Sequence, residues 1–135
     1  MKIRSAWIVV VATLIVAAAA PVFAHHSFAA EFDANKPVNL TGSLTKLDWI
    51  NPHARLYIDV KGTDGKVVNW EVELGPPAIL LRNGWTKNSV KAGDMLSVTG
   101  SLAKDGTNLA NARSVTLADG TKVFAGSSAE TQTNQ

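Results

Sequence analysis

The sequence predicts a mainly β fold: a small OB-fold-like Greek-key barrel of five to six strands, with one short helix between strands 3 and 4. Three observations carry that prediction. Apolar and polar residues alternate with period two over several short runs. Turn residues punctuate those runs at Gly62-Thr-Asp-Gly65, Lys91-Ala-Gly-Asp94, Lys104-Asp-Gly106 and Asp119-Gly120. A single stretch, 75–84, opens on Pro76-Pro77 and ends on Gly84, the frame of a short helix. The resulting order of three strands, helix and two strands is that of an OB fold. A small β-sandwich is the main alternative; a barrel is preferred because closure removes exposed sheet edges.

Taken in order, residues 25–36 form a lead-in without a regular pattern. The first strand sets Val38, Leu40 and Leu44 against Asn39, Thr41 and Ser43, with Gly42 facing inward. Leu47 and Trp49 then fall in the opposite phase, so this strand must contain a bulge or bend. Leu56, Ile58 and Val60 alternate with Tyr57 and Asp59; after the turn, Val68, Trp70, Val72 and Leu74 alternate with Asn69, Glu71 and Glu73. Two such runs around a glycine-bounded turn predict a hairpin. Ala78 to Arg82 make the helix. Leu96, Val98, Gly100 and Leu102 define the next strand, and a strand from about Leu109 to Leu117 leads through Asp119-Gly120 into Thr121 to Phe124. The echo of Leu40-Thr-Gly-Ser-Leu44 in Val98-Thr-Gly-Ser-Leu102 reads as two barrel strands that each need an inward glycine, not as a repeat. The expected core is Trp49, Leu56, Ile58, Trp70 and Leu74.

The N-terminus pairs Lys2 and Arg4 with an uncharged run from Ala6 to Phe23, closed by Val22-Phe-Ala24. These are the marks of a secretory leader cut after Ala24; an uncleaved anchor is the rival reading. The expected organisation is therefore a cleaved leader over 1–24, an OB-like domain over 25–126 and a disordered polar tail over 127–135. Of 135 residues, 111 would remain, with eleven basic residues against eleven acidic ones once Lys2 and Arg4 are gone. The net charge of +2 thus belongs to the leader. A neutral domain lacks the electrostatic footprint of a nucleic-acid binder. The expected compartment is the periplasm, by the general secretory route, with secretion beyond it as a variant and no stable membrane insertion after cleavage.

The chain has no cysteine, so disulfides, thiolate metal sites and cysteine nucleophiles are excluded. Its three histidines sit in two places, His25-His26 and His53. Cleavage after Ala24 would place a free α-amine on His25, and that amine with its own imidazole chelates a metal ion. His53 or His26 could complete a three-nitrogen tetragonal set, which suits Cu(II). Glu31 and Asp33 are near in sequence as oxygen donors. The plainer readings are a polar N-terminus without a role and a His53 that caps the turn after Asn51-Pro52.

Asn51-Pro-His-Ala-Arg55 connects the first two strands, and in OB folds that loop lines a ligand face. Trp85 follows the helix-ending Gly84 in another connection. Asn51, His53 and Trp85 are therefore the candidate ligand-binding residues, with Trp85 as a lid over one barrel end as the plainer alternative. Arg55 and Tyr57 read as an ordinary solvated face. Glu71 and Glu73 share one strand face, but Asn69 continues it, so a solvated surface is the simpler account. Catalytic signatures such as Gly-x-Ser-x-Gly, a phosphate loop or His-Glu-x-x-His are missing.

Six stretches carry a resemblance: His25-His-Ser-Phe28 with Glu31-Phe-Asp33; Trp49-Ile-Asn-Pro-His53; Asn69-Trp-Glu-Val-Glu-Leu-Gly75; Leu81-Arg-Asn-Gly-Trp85; Val90-Lys-Ala-Gly-Asp94; and Asn111-Ala-Arg-Ser-Val115. From His25 to Gly126 the chain resembles a family of small exported bacterial proteins of unknown function, the domain of unknown function 6152. The resemblance implies export and a compact β-barrel-like domain, and no activity. Ala54-Arg55 stands where bulkier, often aromatic residues are expected. The expected function is a non-catalytic periplasmic binding or interaction module for a small ligand or a protein. The alternative is a copper-binding protein using His25 with His53 and His26.

Overall fold

A computed structural model of the chain describes residues 28–126. The predicted leader, His25, His26 and the 127–135 tail lie outside the described residues. A single helical turn, α1 (Phe28–Glu31), leads into β1 (Phe32–Asp48), β2 (Arg55–Lys61), β3 (Val67–Glu73), α2 (Pro77–Arg82), β4 (Met95–Ala103), β5 (Leu109–Thr116) and β6 (Lys122–Phe124). The hydrogen-bonded order is β3-β2-β1-β4-β5-β6. β3 also pairs with β5 in parallel, from Glu71↔Leu109 to Glu73↔Asn111, so the first five strands close on themselves. All other pairings are antiparallel. The fold is mainly β, a ring-like sheet in OB-like order with α2 between the third and fourth strands, as the sequence predicts.

β1 is long because it serves both neighbours, pairing with β4 over most of its length and with β2 from Ser43 to Asp48. The predicted phase change is a register shift between Leu44 and Lys46. Thr45 is the extra residue there, and its hydroxyl donates to the Tyr57 carbonyl at 3.0 Å. The two echoed glycines have the physical cause expected of them. A Cβ on Gly42 would lie 2.5 Å from the Asp59 carbonyl oxygen, and one on Gly100 would collide with the backbone of Asn111.

The interior holds Leu40, Leu44, Leu56, Ile58, Val72, Leu74, Leu96, Val98 and Val115, with Leu80 of α2 closing it. α2 starts on proline at its first position, where no donor is lost, and Gly84 follows it at φ +87°.

Four expectations need correction. β1 begins at Phe32, inside the supposed lead-in, because Phe28 and Phe32 form a second apolar cluster with Ala103 and Leu109 on the outside of the ring. The β4–β5 pairing carries a second register shift, between Thr99 and Gly100: Arg113 is the extra residue on β5, Leu102 keeps its inward parity opposite Ala110, and Ser101 and Ala103 are buried on the covered outer face. Trp49 and Trp70 are half-buried against the core rather than within it, and Val68 is exposed. For Val68 and Trp70 the cause is the β2–β3 hairpin, whose tip outruns the β3–β5 pairing; Trp49 lies past the end of β1, in the connection to β2. Glu73 is the fourth and bears on the site.

Candidate functional site

Glu73 has the outward parity of β3, yet it is 5% exposed. Three local features bury it. β5 pairs beside it, placing Asn111 directly opposite. The β1–β2 loop is stitched to the end of β3: the Ala54 amide donates to the Gly75 carbonyl at 3.1 Å, and the Leu74 amide donates to the Ala54 carbonyl at 2.8 Å. That stitch lays His53 against Glu73, with Nδ1 3.4 Å from Oε1. The outer apolar cluster of Phe28, Phe32, Ala103 and Leu109 then covers the neighbouring part of β5.

Asn111 is itself 1% exposed and donates from Nδ2 to Glu73 Oε1 at 3.0 Å. Both contacts fall on Oε1 and neither on Oε2. Arg55 stands opposite Glu73 in the β2–β3 ladder, but its guanidinium pairs with Glu71. Glu73 is therefore a buried carboxylate whose immediate partners are an amide and an imidazole. Burial raises its carboxyl pKa above the ordinary value; His53, Asn111 and Arg55 pull against that rise, and the charge of Glu31 adds to it. The arrangement favours a cation or a strong donor approaching from the His53 side.

The candidate ligand residues fare unequally. Asn51 and His53 share the β1–β2 loop, with Asn51 exposed and His53 half-buried. Trp85 is 2% exposed in the interior cluster. It borders a recess of about 190 Å³ shared with Asn83, Gly84, Ser89, Leu117 and Val123, which contains no residue of the β1–β2 loop. His25 and His26 lie outside the described residues. Among the described residues no group of three His, Asp or Glu side chains is placed to hold a metal ion. His53 Nε2 has no hydrogen-bond partner among them.

Sequence reasoning missed Glu73 and Asn111 and read Glu71 and Arg55 as solvated. Glu71 is partly buried by its pairing with Arg55. Parity along β3 reports which side of one sheet a residue takes, and a second layer outside that sheet is invisible to it. The available signal was the lead-in: Phe28 and Phe32 are too apolar to hang in water and needed an outer surface to cover.

The fold and cluster define a class: a small OB-like β domain with a buried polar site on its outer face, where the first inter-strand loop meets strands β2, β3 and β5. The chain belongs to the family of unknown function DUF6152, which matches residues 11–112, from before α1 through the first half of β5, which holds Asn111. No curated protein and no solved structure matches it. Among the described residues no helix is long and apolar enough to cross a membrane.

Proposed function

We propose that this domain is a non-catalytic binding module that works in the periplasm after removal of residues 1–24, taking a small ligand or a protein partner where the β1–β2 loop meets Glu73. One observation carries the reading. A carboxylate is held out of water on the outer face of the ring beside a histidine, although burying it there costs stability. Groups perturbed in this way concentrate at functional sites. The strand 2–3 face and its first loop are also where OB folds take ligands. The leader and the neutral charge of the remaining 111 residues favour an exported protein that does not bind nucleic acid. The test is chemical-shift mapping on the ¹⁵N-labelled chain, with millimolar oligosaccharides, amino acids and divalent cations as probes. Perturbations centred on Asn51, His53, Arg55 and Glu73 are expected. Perturbations centred on the Trp85 recess, or a response to none of the probes, overturn the site.

A Cu(II) site is the second reading, built from the amine and imidazole of His25, with His53 and with His26 as a further ligand. One geometric fact favours it: His53 turns Nδ1 toward Glu73 and leaves Nε2 without a partner among the described residues. A metal-bound histidine commonly has just such a carboxylate behind it.

A further inference from the structure

We propose that the ligand of this site carries a primary ammonium group, which donates to Glu73 Oε2 from the side of the β1–β2 loop. The proposal rests on the binding reading above and names the chemistry of the ligand. Glu73 Oε1 is already engaged: it accepts from Asn111 Nδ2 at 3.0 Å and stands at ion-pair distance, 3.4 Å, from His53 Nδ1. Oε2 has no partner among the described residues, although the residue is 5% exposed. An ionised carboxylate accepts on both oxygens, and burying one short of a donor costs stability. A donor that arrives with its own positive charge removes that deficit.

The surrounding charge is out of balance in the same sense. Arg55 stands opposite Glu73 in the β2–β3 ladder, but its guanidinium pairs with Glu71. Glu31 adds a negative charge from α1. Lys104, whose amide donates to the Glu31 carbonyl, turns its ammonium to the Ala29 carbonyl. Glu31, Glu71 and Glu73 therefore outnumber Arg55 at this end of the molecule. The way in is on the loop side. Asn111 and the outer apolar cluster are buried, whereas the side chains of His53 and Arg55 are 23% and 40% exposed. The Ala54 stitch holds the loop backbone and leaves the His53 ring to its contact with Glu73.

The geometry also selects among cations. Among the described residues no group of three His, Asp or Glu side chains is placed to hold a metal ion, so a bare cation lacks a ligand set here. A guanidinium binds a carboxylate best as a fork across both oxygens, and Oε1 is occupied. An ammonium is a point donor that needs one oxygen.

The test is titration of the ¹⁵N-labelled chain near neutral pH, at constant ionic strength, with n-butylammonium, n-butylguanidinium and n-butanol. n-Butylammonium should give saturable shifts centred on His53, Glu73 and Asn111. n-Butylguanidinium should bind more weakly, and n-butanol should give no saturable shift. In Glu73→Gln, which keeps an oxygen for Asn111, the ammonium affinity should fall about 10-fold or more. Asp59→Asn removes the same charge from the outer side of β2, where Asn69 bonds it, and should leave the affinity unchanged. Nα-acetyl-lysine methylamide, titrated in parallel, separates the two sources of such a group. Tighter binding than n-butylammonium assigns the site to a lysine of a polypeptide partner; equal or weaker binding assigns it to a free amine. No saturable shift with either amine, guanidinium binding as tight as ammonium binding, or equal losses in Glu73→Gln and Asp59→Asn overturns the proposal. If an oligosaccharide then still maps to Asn51, His53 and Glu73, the binding site stands with a different ligand; if no probe maps there, the site falls as well. The ranking of the three butyl probes on the wild type decides the point even if Glu73→Gln fails to fold.

Discussion

Glu73 ends β3 and Leu74 follows it; the two take opposite sides of the sheet and are both out of water. Inside the ring, burial follows parity: Leu56, Ile58, Val72 and Leu74 are all fully covered by apolar partners. On the outer face, parity predicts water, and along β3 it is right at Asn69, half right at Glu71 and wrong at Glu73. The gradient follows the cover. The hairpin tip near Asn69 has no layer above it, whereas the end of β3 lies beside β5 and under His53. A single sheet with one apolar interior would need no such second layer. Its presence marks the end of the molecule where α1 and the β1–β2 loop converge.

The sharpest way to break this comparison is to show that both sides are equally dispensable. Leu74→Ala should cost about 2–5 kcal/mol in chemical denaturation, the range for a buried leucine whose cavity cannot collapse. A cost near zero would mean that the ring interior is not the packed core. Next in size, Asn111→Ala removes the donor to Glu73 and leaves a buried oxygen short of a partner, an expected loss of about 1–3 kcal/mol. Asn69→Ala is its control, with the same outward parity in β3 but an exposed side chain that bonds Asp59 at 2.7 Å. It should shift stability by no more than about 0.5 kcal/mol. Equal effects at Asn69 and Asn111 would erase the distinction between the bare and the covered parts of the outer face.

The parts of the fold that depend on local sequence were legible in advance. The β2–β3 hairpin, the proline-led α2, the bulge between Leu44 and Lys46 and the inward glycines all follow from periodicity and turn chemistry within a few residues. The β5 bulge at Arg113 was not, because Leu96, Val98, Gly100 and Leu102 keep perfect alternation on β4 and the extra residue shows only in how β5 pairs with it. The site was half legible. His53 and Asn51 stand out by residue type in a loop that OB folds use. Glu73 and Asn111 meet only because β3 and β5 pair in parallel across 38 residues of sequence, and no local window contains that contact.

The smallest expected effect is also the one most specific to Glu73, and its sign follows from burial. Its carboxyl holds a proton more tightly in the folded chain than at the ordinary value of 4.5. From 4.5 up to the raised folded value, the native state carries more protons than the unfolded one, so stability falls as pH rises through that window. The contribution is complete below 4.5 and lost above the folded pKa. Asp105 and Asp119 behave oppositely. Hydrogen bonds from Thr107 and Thr121 lower their pKa values, so their support is present above 3.8 and lost as pH drops below it. The two aspartates are common to wild type and Glu73→Gln, and they cancel in the difference between the two. From the surrounding elements Glu31 adds to the rise that burial causes, while His53, Asn111 and Arg55 partly offset it and hold the effect down. Denaturation curves from pH 7 to pH 4 should therefore show wild type gaining on Glu73→Gln as the solution is acidified, with no further gain below 4.5. A difference that stays flat, or shrinks on acidification, would place the Glu73 carboxylate in water and return the whole outer face to the solvated surface that strand parity describes.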